Sequence, residues 1–453
     1  MGLLSLPPEI MDKICKLFCT HCQMKPLYFF PHKEALGTSC SGQIWEHDAQ
    51  GIKTLVNLSE TCQALNTLTL PHRYHRIKLK SDILYTKEFI ARIRGCGHNG
   101  LDHVRSLSLA YTKAMDAFYN KLPDSQKRRL TFYDMVLRNV PKIQLLHIRL
   151  NWKHEIKISR RTMLASLRYL HIECPSKGTS HKLRISDLLR QAPKIETLVI
   201  QVKLLLSLSL SWSSGSSGLE NVKCLKLVDT LVCPYDLKKI VDLCPQLESF
   251  VFSLFAEMHR LVESTVGDYT SLQALPQVLS VRQKTLRYVE LYWEPPPAGD
   301  DNGMNIAGSF KGLTNLETLI LGGPGLRFEM AKNEKTLRTC LVNLLPQSIR
   351  SVSIDSESTS LHEPIFALGE AVKLGSFPML KEVRCYNWVE GDLTGLALEE
   401  VSAGPSHITR QKMKDRDERS KHHLGLLSQL SRTCNVSFSA ESKGLFERKG
   451  SQD

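Results

Sequence analysis

The stretch Asp187-Leu188-Leu189-Arg190-Gln191-Ala192-Pro193-Lys194-Ile195-Glu196-Thr197-Leu198-Val199-Ile200 decides the fold. Its first half is a short helical run around Leu188 and Leu189. Pro193 ends that run, because a prolyl ring has no N–H to donate and collides with the preceding turn. The second half reads apolar, two variable residues, then apolar-x-apolar. Leu198 and Ile200 alternate with period two, the mark of a strand with one buried face, and Ile195 turns the chain into that strand. The signature recurs on both sides: Val104-x-x-Leu107-x-Leu109, Ile143-x-x-Leu146-x-Ile148 and Leu167-x-x-Leu170-x-Ile172 before it, then Val222-x-x-Leu225-x-Leu227 and Leu247-x-x-Phe250-x-Phe252 after it. Further on come Leu286-x-x-Val289-x-Leu291, Leu316-x-x-Leu319-x-Leu321, Ile349-x-x-Val352-x-Ile354 and Leu380-x-x-Val383-x-Cys385, with Val436 and Phe438 as a degenerate last strand. Helical runs closed by proline lead into two more copies. They are Leu237, Ile240, Val241 and Cys244 before Pro245, and Leu341, Leu344 and Leu345 before Pro346.

A helix-then-strand unit repeating every 22 to 40 residues or so resembles leucine-rich repeats. The resemblance implies an α/β fold: an irregular leucine-rich-repeat solenoid over residues 81–453, with a curved parallel sheet and outer helices. The usual Asn or Cys after each strand is mostly absent, so the repeats are irregular. A doubly wound sheet is the rival architecture, but its parallel strands should be longer and wholly apolar, and these are short and half polar. Ordinary α/β periodicity is the other alternative.

The N-terminal stretch Leu4-Ser5-Leu6-Pro7-Pro8-Glu9-Ile10-Met11-Asp12-Lys13-Ile14-Cys15-Lys16-Leu17 reads as a helix start. Ser5 is placed to cap, the prolines sit where a missing N–H costs nothing, and Glu9 suits the positive helix end. Ile10, Ile14 and Leu17 form one apolar stripe. A second amphipathic stretch, Thr54–Leu65, puts Leu55, Leu58, Cys62 and Leu65 on one face, and Leu70-Pro71-His72-Arg73-Tyr74 follows. The order Leu-Pro-x-Glu-Ile, Leu-x-x-Leu-x-x-x-Cys-x-x-Leu, Pro-x-x-Tyr resembles an F-box, here over residues 1–80 with an insertion at 23–53, similar to some fungal F-box proteins. The resemblance implies a substrate-recognition adaptor of an SCF-type ubiquitin ligase, not an enzyme. Leu6, Pro7, Ile10, Ile14 and Leu17, then Leu58, Cys62 and Leu65, would contact a Skp-family adaptor, and through it a cullin-RING ligase. The repeats would hold a protein target on the strand face. Ser108, His147, Arg149, His171, Lys226, Glu290 and Ser353 are the candidate positions, because period two aims them away from the core. A leucine-rich-repeat scaffold with no ligase link is the alternative.

Composition agrees with a globular chain: 453 residues, 42% hydrophobic and 23% charged. The net charge of +13 is spread along the sequence without interleaved aromatic residues, so nucleic acid is not the expected partner. No apolar run reaches the roughly 18 residues of a transmembrane helix, and no basic-then-apolar leader precedes Leu6. A cytoplasmic or nuclear protein is expected, without a membrane partner and with reduced thiols among its thirteen cysteines. Cys19-x-x-Cys22 has zinc-ligand spacing, and Cys40 or His47 would complete a set of four; buried or idle thiols are the preferred reading, with no cofactor. Nucleophile-elbow, phosphate-loop, zinc-protease and dinucleotide motifs are absent, and Gly322-Gly323-Pro324-Gly325 reads as a repeat turn. Trp212–Gly218 and Glu294–Gly303 read as loops, and the mixed-charge segment near 389–423 carries no repeat signal.

Overall fold

The computed structural model describes residues 5–19, 22, 49–79, 91, 100–110, 132–150, 156, 158–159, 161–174, 185–205, 218–254, 274–293, 308–323, 338–355, 362–386, 425 and 428–441. The fold is α/β with an open, parallel sheet, and the chain divides into two compact units. The first holds α1 (Pro8–Phe18), α2 (Ala49–Thr61), α3 (Gln63–Tyr74), β1 (Arg76–Leu79), β2 (Ser106–Ala110), α4 (Phe132–Leu137), β3 (Leu145–Arg149), β4 (Tyr169–Cys174), α5 (Ser186–Gln191), β5 (Thr197–Leu205) and nearly all of β6 (Cys224–Leu231). The second holds α6 (Pro234–Asp242), β7 (Ser249–Leu254), α7 (Leu275–Leu279), β8 (Tyr288–Trp293), β9 (Thr318–Gly322), α8 (Cys340–Leu344), β10 (Ser351–Asp355), α9 (His362–Lys373), β11 (Glu382–Tyr386) and β12 (Ser437–Glu441). Within each unit the strands lie side by side in sequence order. No helix among the described residues is long and apolar enough to cross a membrane.

Every repeat signature falls on a strand, and the register stacks equivalent residues. In the first unit Ile77, Leu107, Leu146, Leu170 and Leu198 form one row, and Leu79, Leu109, Ile148, Ile172 and Ile200 form the next. In the second unit the first row is Phe250, Val289, Leu319, Val352, Val383 and Phe438. Each of these residues is 7% exposed or less. The helices bury Leu188, Leu189, Leu237, Ile240, Val241, Leu341, Ile365 and Leu368, so the helical runs contribute their apolar stripes to the core. Each fully buried Leu or Ile contributes about 1.5–3 kcal/mol.

The register is set at the turn before each strand. The carbonyl of His75 accepts the N–H groups of both Arg105 and Ser106; Arg105 does the same for Gln144 and Leu145, Gln144 for Arg168 and Tyr169, Arg168 for Glu196 and Thr197, and Glu196 for Lys223 and Cys224. In the second unit Glu248, Arg287, Glu317 and Arg350 repeat the device, and all these bonds lie between 2.7 and 3.2 Å. In the second unit the side chains at these positions alternate in sign, and the last two of the first unit are opposite. Arg168 pairs with Glu196, and Glu317 is flanked by Arg287 and Arg350 at 3.5 and 3.6 Å. These pairs are partly exposed, so each contributes little. Asn221 and Asn315 reach back to the carbonyls of Pro193 and Lys284 at 2.8 and 2.7 Å, a side-chain version of the same tie.

Four expectations change. The sheet begins inside residues 1–80: β1 follows α3 directly and pairs with β2. The helix α2 starts at Ala49, within the 23–53 insertion. Ser5 does not cap α1; Pro7 holds that place, and its carbonyl accepts from Ile10 and Met11. The Thr54–Leu65 stretch is not one helix, because Cys62 adopts an extended backbone (φ −163°, ψ 164°) that separates α2 from α3. Residues 23–48, the Trp212–Ser217 and Glu294–Gly303 loops and the 389–423 segment lie outside the described residues.

Leu170→Ala should lower the unfolding free energy by about 2–5 kcal/mol, read as a lower urea midpoint, whereas Leu374→Ala, at a position 84% exposed, should leave it within about 0.5 kcal/mol. Gly323 has φ +115°, and an added Cβ would lie 1.9 Å from the Trp293 carbonyl oxygen. Gly323→Ala should therefore destabilise by at least about 1 kcal/mol in the same measurement.

Candidate functional site

The three N-terminal helices pack on one another, with Met11, Cys15, Leu55 and Leu65 inside. Cys15, Cys19 and Leu55 form a small core against which Phe18 and Cys22 rest. The outer side of α1 keeps its apolar residues in solvent. Leu6 is 38%, Ile10 40% and Leu17 66% exposed, Pro7 is exposed and Ile14 half-buried. Leu58 and Cys62 are also half-buried. Leu65, expected at the adaptor contact, is instead inside with Leu55, at 4% exposure. The helix α1 is therefore apolar on two sides, one used internally and one not.

Where α1 ends, four side chains converge. Cys19 terminates the helix, and the Cys22 N–H donates to its carbonyl at 2.9 Å, a tight turn that brings both thiols to one side. From the other end of the module come His72, in the last turn of α3, and His75, between α3 and β1. The four potential donor atoms lie within 4.8 Å of one another. The Cys22 Sγ is 3.6 Å from His72 Nδ1 and 3.3 Å from His75 Nδ1, and Cys19 Sγ is 3.5 Å from His75 Nδ1. The Nε2 of His72 meets an Asp12 carboxylate oxygen at 2.9 Å, and Asp12 is also held by Lys16 at 2.6 Å. The hydrogen bond from Cys22 pulls the Cys19 thiol pKa down, helped by His72 and His75, while the proton shared with Cys19 and burial push Cys22 up. Burial opposes a charged His72, but its bonds to Cys19 and Asp12 outweigh that and raise it. Among the described residues Cys19 and Cys22 meet His72 and His75; Cys40 and His47, the other members of the expected set, lie outside the described residues. The pair His72-x-x-His75 mirrors Cys19-x-x-Cys22 in spacing, a signal present in the sequence.

The strand-face residues also differ from expectation. Ser108, His147, His171, Glu290 and Ser353 are each 6% exposed or less. A strand inside a parallel sheet has neighbours about 4.8 Å away on both sides, so side chains leaving the core face wall one another in. In the first unit they form a polar ladder: Ser108 Oγ is 3.1 Å from His147 Nδ1, His147 Nε2 is 3.1 Å from Glu173, and His147 stacks on His171 at 4.6 Å. The order hydroxyl, imidazole, carboxylate has the chemistry of a nucleophile relay, but Ser108 is 3% exposed and acts as a packing group. In the second unit Tyr288 donates to the buried Glu290 within a cluster of Val251, Tyr288, Tyr292 and Ile320. Of the seven positions, Arg149 stays exposed and Lys226 half-buried.

No family model matches the chain, and no curated protein matches it.

The ladder makes stability depend on pH. Burial, aided by the His147 charge, holds His171 down at about 3, so the folded protein keeps it neutral while the unfolded chain protonates it near pH 6.5. Burial raises Glu173, but its bonds to His147 and Arg149 outweigh this and hold the carboxyl below its usual range. In both cases the unfolded state binds more protons in acid, so both contributions are complete above about pH 6.5 and decline as pH falls. His171→Leu should flatten the dependence of unfolding free energy between about pH 6.5 and 4.5, where one proton contributes up to about 1.4 kcal/mol per pH unit. Urea midpoints measured across that range check this; a variant profile parallel to the parent would mean His171 titrates normally.

Proposed function

We propose that the protein is a substrate-recognition adaptor of an SCF-type, cullin-RING ubiquitin ligase, with an F-box module binding a Skp-family adaptor and a leucine-rich-repeat solenoid holding the target. The observation that carries this reading is the second apolar side of α1. Met11 and Cys15 satisfy the module's own core, while Leu6, Ile10 and Leu17 stand in solvent at helical spacing. A helix apolar on two sides needs a second partner, and a stripe of this kind fits a helix-in-groove contact. Half-buried Leu58 and Cys62 extend the apolar surface to the second helical segment. The in-register parallel array supports the solenoid, and of the seven candidate positions Arg149 and Lys226 keep access to a target. As an adaptor, the protein positions its target and leaves the chemistry to the ligase, in the cytosol or nucleus.

A plain repeat scaffold is the second reading, favoured by one observation: β1 continues directly from α3 into the sheet, and α3 packs against β1 and the turn at Gly100–His103 whatever else the helices bind. Co-purification separates the two. Leu6→Ala with Ile10→Ala should weaken capture of the Skp-family adaptor roughly a hundredfold, about 2.8 kcal/mol, with the thermal midpoint unchanged because both side chains are exposed. Failure of the parent protein to capture that adaptor would select the scaffold.

A further inference from the structure

We propose that Cys19, Cys22, His72 and His75 bind one zinc ion in a closed tetrahedral site that ties the end of α1 to the junction of α3 and β1. Nothing in this inference depends on the ligase reading; it concerns how the module is held together.

Geometry comes first. A tetrahedron with Zn–S near 2.3 Å and Zn–N near 2.05 Å has S···N edges of about 3.6 Å. Three of the four S···N separations are 3.3, 3.5 and 3.6 Å, nearly the edge lengths that a central ion requires, and all four donor atoms lie within 4.8 Å of one another. The Cys22 sulfur faces both imidazole nitrogens at once, and a single thiol proton serves only one of them. An ion at the centre satisfies all four donors together.

The supporting residues agree. The Asp12 carboxylate is an acceptor, so neutral His72 carries its proton on Nε2 at the 2.9 Å contact. That tautomer leaves a lone pair on Nδ1, the atom that faces the sulfurs. A carboxylate behind a ligating histidine is the usual outer support of a zinc site, fixing ring orientation and basicity. The turn from Cys19 to Cys22, closed by its own hydrogen bond, orients both thiols before any ion arrives.

The donor set names the metal and the role. Two thiolates and two imidazoles in a tetrahedron select zinc among the common ions. With four protein ligands no position remains for water or substrate, so the ion is structural. Binding releases to solvent whatever protons the four donor atoms still carry, and the two thiolates balance the charge of Zn²⁺, leaving a neutral centre. Cys19 is 4% and His72 4% exposed, so that neutrality matters.

The test uses the full chain, purified without chelator or metal-affinity resin. Elemental analysis should find one zinc per chain. After stripping with a chelator, titration with Co²⁺ should give the visible bands of tetrahedral cobalt together with thiolate charge transfer. Cys22→Ser and His75→Ala should abolish both signals. Asp12→Asn should keep the stoichiometry but weaken affinity about 10–100-fold. If the ligand variants do not fold, the cobalt titration of the parent chain still decides. Protein free of zinc whose cobalt spectrum lacks charge transfer, or a Cys19–Cys22 disulfide found by mass spectrometry, would overturn the site. Capture of the Skp-family adaptor is a separate readout, so loss of one inference leaves the other standing.

Discussion

A single main-chain oxygen, accepting two successive N–H groups from the turn before the next strand, is the constraint on which the rest of this structure depends. Parallel strands have no hairpin to fix their alignment, so the register must be set where each strand begins. From His75 to Arg350 the same turn position supplies that oxygen. A slip of one residue would carry each leucine row from the core face to the opposite one. With the oxygen in place, the rows of Leu107, Leu146 and Leu170 or of Val289, Leu319 and Val352 follow, and the helices need only lay apolar stripes against them.

The same lateral closeness explains the far side of the sheet. Strands so near one another bury small polar groups as readily as leucines, and the groups compensate by bonding along the row. Ser108, His147 and Glu173 do so in the first unit, and Tyr288 with Glu290 in the second. That face is thus a second packed layer. Its titratable members couple the layer to acid, and Arg149, exposed, lies 3.5 Å from Glu173.

Most of the strand array was legible in the sequence because the signature states both the turn and the strand. The first strand was missed, though it obeys the rule: Tyr74-x-x-Ile77-x-Leu79 has an aromatic residue in the turn position and sits inside a segment that also reads as the close of a helical module. The break at Cys62 was hidden because Leu55, Leu58, Cys62 and Leu65 keep helical spacing across it; only the extended backbone angles reveal it. Cys19 and Cys22 were legible by spacing. Their partners were not, because His72 and His75 lie fifty or more residues on and meet them only once α1 packs on α3. Burial of the polar strand residues depends on neighbours in space, which period two alone does not report.

The unequal length of the repeats has a structural meaning. From Ala110 to Ile143 the chain takes far longer to reach its next turn than from Arg149 to Leu167, yet β2, β3 and β4 stay in register. The alignment is blind to what separates a strand's last residue from the following turn. What such a register constrains is therefore where each strand begins, and the distance in sequence to that point is free to vary from repeat to repeat.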